Sequence, residues 1–197
     1  MNIFLGILLG LGLSASTGLN TFLPLLLLSA AARFHIAGIE LGTKFEWLTS
    51  DGAIITLIVA CVIELIADKV PAVDHFLDSA GTFIRPLAGA LASASVLTGI
   101  DPMVAAIVGI IVGGPTSLGM HTLKAGTRVA STATTFGCAN PIISIIEDVL
   151  AFSLSVIAIF LPIVVPLALA LLVFALYRVM TRIRRAPAVA SASQPRA

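Results

Sequence analysis

The chain alternates long apolar runs with short polar breaks, and the runs have the length of membrane-crossing helices rather than of soluble core helices. The first, Asn2 to Ala32, carries no charged residue and would make about 45 Å of helix, too much for one upright span. Its centre, Ser14-Ala15-Ser16-Thr17-Gly18-Leu19-Asn20, is small and polar, and Pro24 follows. A helix that breaks or bends near Gly18 and then resumes is expected, and the backbone freed there must be buried in protein or line water. Ser14-Ala15-Ser16 looks like a signal-peptide cleavage site. However, no Lys or Arg precedes the apolar run, and the run continues past the site, so it is taken as the first membrane segment.

The second span is Gly52 to Asp68, followed by a short polar connection, Lys69 to Asp78, in which Asp74 and Asp78 share a face if it is helical. The third runs from Thr82 to Leu97 with Arg85-Pro86 at its start. Asp101 and Pro102 suit the N-cap and first position of the fourth. That span should break at Gly113-Gly114-Pro115, with a basic helical piece, His121 to Ala130, after it. The fifth span is Pro141 to Leu161, and the sixth follows Pro162 and Pro166 and reaches Met180. The expected fold is therefore all-α: a polytopic transmembrane bundle of about six spans with broken helices, residues 1–185, and a disordered Ala/Ser/Pro-rich tail, residues 186–197.

Composition agrees with this pattern. Hydrophobic residues make up 58% of the chain and charged residues 11%, against about 25% in soluble domains, and the mean hydropathy is +1.11. The distribution of charge orients the bundle. With both termini cytoplasmic, nine of the eleven Lys and Arg residues fall inside and only Arg33 and Lys44 fall outside, the bias expected of a cytoplasmic membrane protein. The halves 1–100 and 101–185 also echo each other: Gly18-Leu19-Asn20-Thr21 resembles Gly119-Met120-His121-Thr122, Val62-Ile63-Glu64 resembles Ile145-Ile146-Glu147, and Pro86-Leu87-Ala88 resembles Pro166-Leu167-Ala168. Three spans per half would make this a 3+3 inverted repeat, a common plan of secondary transporters.

Four carboxylates inside the apolar runs are the best clue to function. Glu64 and Asp68 close one run, and Glu147 and Asp148 interrupt another. An ionised carboxylate at mid-bilayer costs about 2.5–3.5 kcal/mol on insertion scales, so such residues face a bundle interior or a watery cavity. Glu64 and Asp68, four apart, share a helix face, and two close acids in low dielectric cannot both ionise cheaply. Glu147 and Asp148 point about 100° apart, so at most one is expected to face a given cavity. His121, Lys124 and Arg128 form a basic stripe that reads as a counter-charge to the acids, as an anion site, or as ordinary positive-inside decoration; Arg85 would add to it. Asn20, with Ser14, Ser16 and Thr17, and Gly113 to Ser117 could offer polar groups to a ligand, or could serve packing. No His/Asp/Glu spacing resembles a metal motif, Cys61 and Cys138 belong to no redox spacing, and no cofactor is implied.

Read together, these residues resemble a family of small bacterial membrane proteins known as domain-of-unknown-function family 4126. The resemblance rests on Gly18 to Pro24, on Glu64 with Ala67 to Asp74, on Arg85 to Gly89, on His121, Lys124 and Arg128, and on Asn140-Pro141, Ser144 and Glu147-Asp148. It implies which residues belong together and carries over no activity. The leading expectation is a small transporter or permease, a homo-oligomer, with a proton- or cation-responsive site at Glu64, Asp68, Glu147 and Asp148, acting on an unidentified solute, ion or lipid head group. A membrane-embedded enzyme or lipid-phosphate binder, and a structural or assembly protein, are the alternatives. No catalytic motif supports the enzyme reading.

Overall fold

The computed structural model describes residues 2–185; side chains at 71, 72, 74–77, 179, 180 and 182–185 are outside the description, as is the tail expected to be disordered. All described regular elements are helical. They are α1 (Ile3–Leu19), α2 (Phe22–Arg33), α3 (Asp51–Ala67), α4 (Pro71–Ser95), α5 (Pro102–Val108), α6 (Gly114–Thr135), α7 (Asn140–Phe160) and α8 (Val165–Arg185). Between α2 and α3 the loop 34–50 carries two short 3-10 turns. By length and composition, Pro102–Thr135 and Asn140–Phe160 can each cross a membrane; a third crossing is reached if Thr43–Thr49 and Asp51–Ala67, which meet at 63°, count as one.

The first apolar segment breaks as expected, but it then turns back instead of resuming. Asn20 is extended (φ −137°, ψ 127°) between two helices. Contacts fix the direction of each arm. Ser14 Oγ donates to Gly89 O at 2.7 Å and Arg85 donates to Gly18 O at 2.9 Å, so α1 is antiparallel to α4. Thr21 meets Glu64 at one end of α3, while Arg33 pairs with Asp51 at the other, 2.7 Å away, so α2 is antiparallel to α3. Leu9 and Leu13 of α1 consequently share a core with Leu25 and Leu28 of α2 and with Ile39, Leu41 and Leu48 of the loop. α1 and α2 form a helical hairpin whose tip is Asn20-Thr21. Pro24 fits in the first turn of α2, where its missing N–H needs no partner.

The bundle thus has two ends. At the loop end lie Asn2, Arg33, Gly42 and Ser95, the last two joined by the bond from Gly42 N–H to Ser95 O. The charged end holds the hairpin tip and the buried ions described below. α8 runs from Val165, packed with the loop-end core, to Leu176, packed beside Leu19 and Met120, so it heads toward the charged end. α1, by contrast, begins at the loop end.

Two further boundaries differ from expectation. The polar connection 69–78 shrinks to a short turn, because Pro71 at the first helical position starts α4, which absorbs Asp74 and Asp78 and runs through Pro86. Gly113-Gly114-Pro115 does not break the chain. A π turn over Gly109–Gly113, in which Gly114 N–H bonds to Gly109 O, joins α5 and α6 into one 34-residue helix. Glycine is required there: a Cβ on Gly113 would collide with the Gly89 carbonyl and lie 2.8 Å from Ser93 Cβ. Small residues let the two backbones approach.

The outward surface is apolar. Ile55, Ile63 and Ile66 of α3 and Ile142 and Val149 of α7 are all more than half exposed. Exposed apolar area on this scale marks a surface that another apolar phase covers.

Candidate functional site

The hairpin tip leaves two sets of backbone groups without helical partners, and side chains from three other helices satisfy both. At the N-terminus of α2, the Glu64 carboxylate accepts from Thr21 N–H at 2.9 and 3.0 Å, from the Thr21 hydroxyl at 2.8 Å and from Phe22 N–H at 3.2 Å. An anion belongs at that end of the helix dipole. Asn20 Oδ1 accepts from Leu23 N–H at 3.0 Å. At the C-terminus of α1, Arg85 donates to Gly18 O and Leu19 O, and Lys124 Nζ donates to Leu19 O at 2.9 Å. Cations belong there for the same reason. The break is therefore electrostatically closed at both faces.

These capping ions are links in a larger network. Arg85 lies 3.5 Å from Glu64 and 4.0 Å from Asp78. Arg128 pairs with Glu147 at 2.7 Å and reaches Asp68 at 3.6 Å and Asp78 at 3.9 Å. Lys124 joins Asp68 at 3.1 Å to Glu147 at 3.4 Å. On the other side of the tip, Asp148 accepts from Asn20 Nδ2 at 3.0 Å and pairs with Lys69 at 3.1 Å. Arg85 and Lys124 are each only 1% exposed, so their charges have no water to rely on. Charges this deep persist because each is paired and hydrogen-bonded.

All nine residues singled out in the sequence converge here, with two differences of detail. Glu64 and Asp68 do not act as a carboxylate pair: Glu64 turns to the hairpin tip, whereas Asp68 caps the end of α3 and faces Lys124 and Arg128. Glu147 and Asp148 both join the network, contrary to the one-face expectation, because α7 wedges between the basic stripe of α6 and the hairpin tip. α3 and α7 run antiparallel, so Glu64 lies three residues from the end of α3 and Glu147 seven from the start of α7, about 5 and 10 Å from the same end.

The small polar residues at the first break are used internally. Thr17 Oγ1 and Ser16 Oγ donate back within α1 to Ser14 O and Gly12 O, while Ser14 Oγ donates to Gly89 O and Ser117 Oγ to Arg85 O, which ties α1 to α4 and α6 to α4. Asp78, Thr82 and Asn140 are the site residues that sequence reasoning did not select. Asp78 looked like a loop residue until α4 extended over it, although its spacing from Thr82 on one helical face was readable. Together with His121 and Arg128 they line a cavity of about 520 Å³ at the charged end. His121 Nε2 lies 3.3 Å from Thr82 Oγ1. Among the described residues, no group of three or more His, Cys, Asp or Glu is arranged to hold a metal ion.

A helical bundle with an apolar exterior, a helical hairpin and a buried ion network is the class of protein that fold and site define. Within that class, the chain belongs to the family described as domain of unknown function (DUF4126), whose model matches residues 7–182 and so covers the hairpin, the whole ion network and α8 almost to its end. No curated protein and no solved structure matches the chain.

Proposed function

We propose that this protein is a small membrane transporter whose ion network responds to a proton or a cation. One observation carries the reading: a re-entrant hairpin tip held at both helix ends by buried ions from α3, α4 and α6. Discontinuous helices with charged or liganded ends at the centre of a bundle are how secondary transporters build solute and ion sites. A second observation supports coupling. Among the described residues, five carboxylates (Glu64, Asp68, Asp78, Glu147, Asp148) face four cations (Lys69, Arg85, Lys124, Arg128), a formal excess of one negative charge. One proton or one monovalent cation would balance it. Neutralising Glu64 would release the N-terminus of α2, and neutralising Glu147 would remove one of the two carboxylates that hold Lys124 and the shortest ion pair of Arg128, so either event loosens the tip.

The wider organisation follows from the same reading. The hairpin with α3 and α4 forms one half, and α5 to α8 the other, each half contributing a glutamate from the helix after its first unit. That preserves the inverted-repeat plan, with the hairpin in place of one crossing. The charged end faces the cytoplasm, since Lys69, Arg85, Lys124 and Arg128 gather there and Arg33 and Lys44 do not. The start of α1 then lies on the opposite face.

Proteoliposomes test this directly. Wild type is expected to show a proton- or cation-dependent solute flux, and Glu64→Gln and Glu147→Gln are expected to abolish the dependence. Wild type without any flux or proton response, or both variants behaving like wild type, would sink the proposal.

A further inference from the structure

The cavity beside the network is lined by hydrogen-bond acceptors that have nothing to accept from. His121 is 4% exposed and its Nδ1 has no partner. Nε2 lies 3.3 Å from Thr82 Oγ1, itself 3.2 Å from Asp78 O, and the tautomer that carries its proton on Nε2 donates to this hydroxyl. The neutral ring then presents Nδ1 as a bare acceptor. Asn140, 8% exposed, donates its amide to Thr132 Oγ1 at 3.2 Å and leaves Oδ1 unpaired. Asp78 Oδ1 accepts no hydrogen bond either, with Arg85 Nη2 4.0 Å away. A buried polar atom left unsatisfied costs about 1–3 kcal/mol, so three around one cavity call for a donor.

The charge argues in the same direction. Arg128 on the cavity wall has Nε and Nη2 on Glu147 at 3.2 and 2.7 Å, so its charge is already compensated. Size and lining then select the ligand. About 520 Å³ lies within the 300–1,000 Å³ range of small-molecule sites, and Ala125, Val129 and Ala133 add apolar lining.

We propose that this cavity binds a small organic ammonium ion, its N–H groups donating to Asp78, His121 and Asn140 and its hydrocarbon part lying against Ala125, Val129 and Ala133. The ligand class deepens the transporter reading and rests on it only for what becomes of the ligand after binding. An ammonium brings N–H donors to these acceptors, whereas an anion would bring none.

The test uses the full chain in nanodiscs at fixed pH and salt, with n-butylammonium as probe and n-butanol as its neutral isostere. Thermal stability is expected to rise with n-butylammonium concentration and not with n-butanol. Asp78→Asn should weaken the apparent affinity at least tenfold. Ala125→Phe, which fills the cavity and removes no charge, should abolish the response and gives a second reading if Asp78→Asn folds poorly. Glu40→Gln, at the loop end, should respond as wild type does. Equal responses to n-butylammonium and n-butanol, a response unchanged in both cavity variants, or stabilisation by acid alone with no effect of n-butylammonium would each overturn the proposal. Saturable binding without flux would retain this site and remove the transporter reading, so the two failures are distinguishable.

Discussion

Removing the Glu64 charge should unlock the hairpin, and the cost can be worked from the geometry. Glu64 accepts three backbone or hydroxyl groups of the tip at 2.8–3.2 Å and lies 3.5 Å from Arg85. Both side chains are almost fully buried, 6% and 1% exposed, so solvent screens the pair little. At an effective dielectric near 20 the gross attraction at this separation is about 5 kcal/mol, most of it offset by desolvation. Glu64→Gln keeps an acceptor for Thr21 N–H but turns charge-assisted bonds into neutral ones, a loss of about 2–4 kcal/mol. Arg85→Gln strands the carboxylate and uncaps Gly18 and Leu19, with an expected cost of about 3–5 kcal/mol. The double variant should cost less than the two together, by about 1–3 kcal/mol, because neither charge is then left alone. Reversible unfolding in mixed micelles measures all three. Additivity within about 0.5 kcal/mol would show that the two side chains do not interact, and the description of the tip as an ion-locked break would be wrong.

The remaining predictions concern packing and the weight of each ion. Lys124→Ala, which removes a buried cation from two carboxylates and a carbonyl, should cost more than about 3 kcal/mol, whereas Lys69→Ala, at a side chain 37% exposed, should cost about 1 kcal/mol or less in the same unfolding assay. Gly89→Val should destabilise by about 1–3 kcal/mol or more, because its Cβ would sit 2.6 Å from Ser117 Cβ and 2.7 Å from the Gly113 carbonyl; an unchanged melting temperature would refute the close α4–α6 approach. Leu13→Ala, in the loop-end core, should cost about 2–5 kcal/mol, while Ile63→Ala, on the apolar outer face of α3, should cost under about 1 kcal/mol by thermal melting.

The candidate site was more legible in the sequence than the path of the chain. A carboxylate inside an apolar run has few places to go, so Glu64, Asp68, Glu147 and Asp148 announced a buried network, and the spacing of His121, Lys124 and Arg128 announced its cations. Asp101 and Pro102 started α5 where their chemistry requires. The reversal at Asn20 was not legible, because about thirty uncharged residues give the same hydropathy whether the chain crosses or doubles back. What decides between the two is tertiary: Glu64, Arg85 and Lys124, remote in sequence, cap the open ends. Gly113-Gly114-Pro115 misled for a related reason. A glycine-proline pair can end a helix or widen one turn of it, and close packing against Gly89 selects the second outcome. Asp78 and Asn140 were noted, one for its spacing from Asp74 and one beside Pro141, but not as site residues, because each looked like boundary decoration until the fold placed both beside His121 on one cavity.

The re-entrant hairpin underlies the ion network, the topology and the transport proposal alike, and side-specific labelling of single cysteines tests it most directly. In a background with Cys61 and Cys138 replaced by Ala, Asn2→Cys, Phe34→Cys and Phe136→Cys would each be exposed to a membrane-impermeant thiol reagent in vesicles of known orientation. Asn2 and Phe34 lie at the loop end, and Phe136, 94% exposed, lies at the charged end beyond α6. Labelling of positions 2 and 34 from one face and of position 136 from the other is the predicted result. Labelling of positions 2 and 34 from opposite faces would mean that the first segment crosses the membrane, and the ion-capped hairpin would not exist.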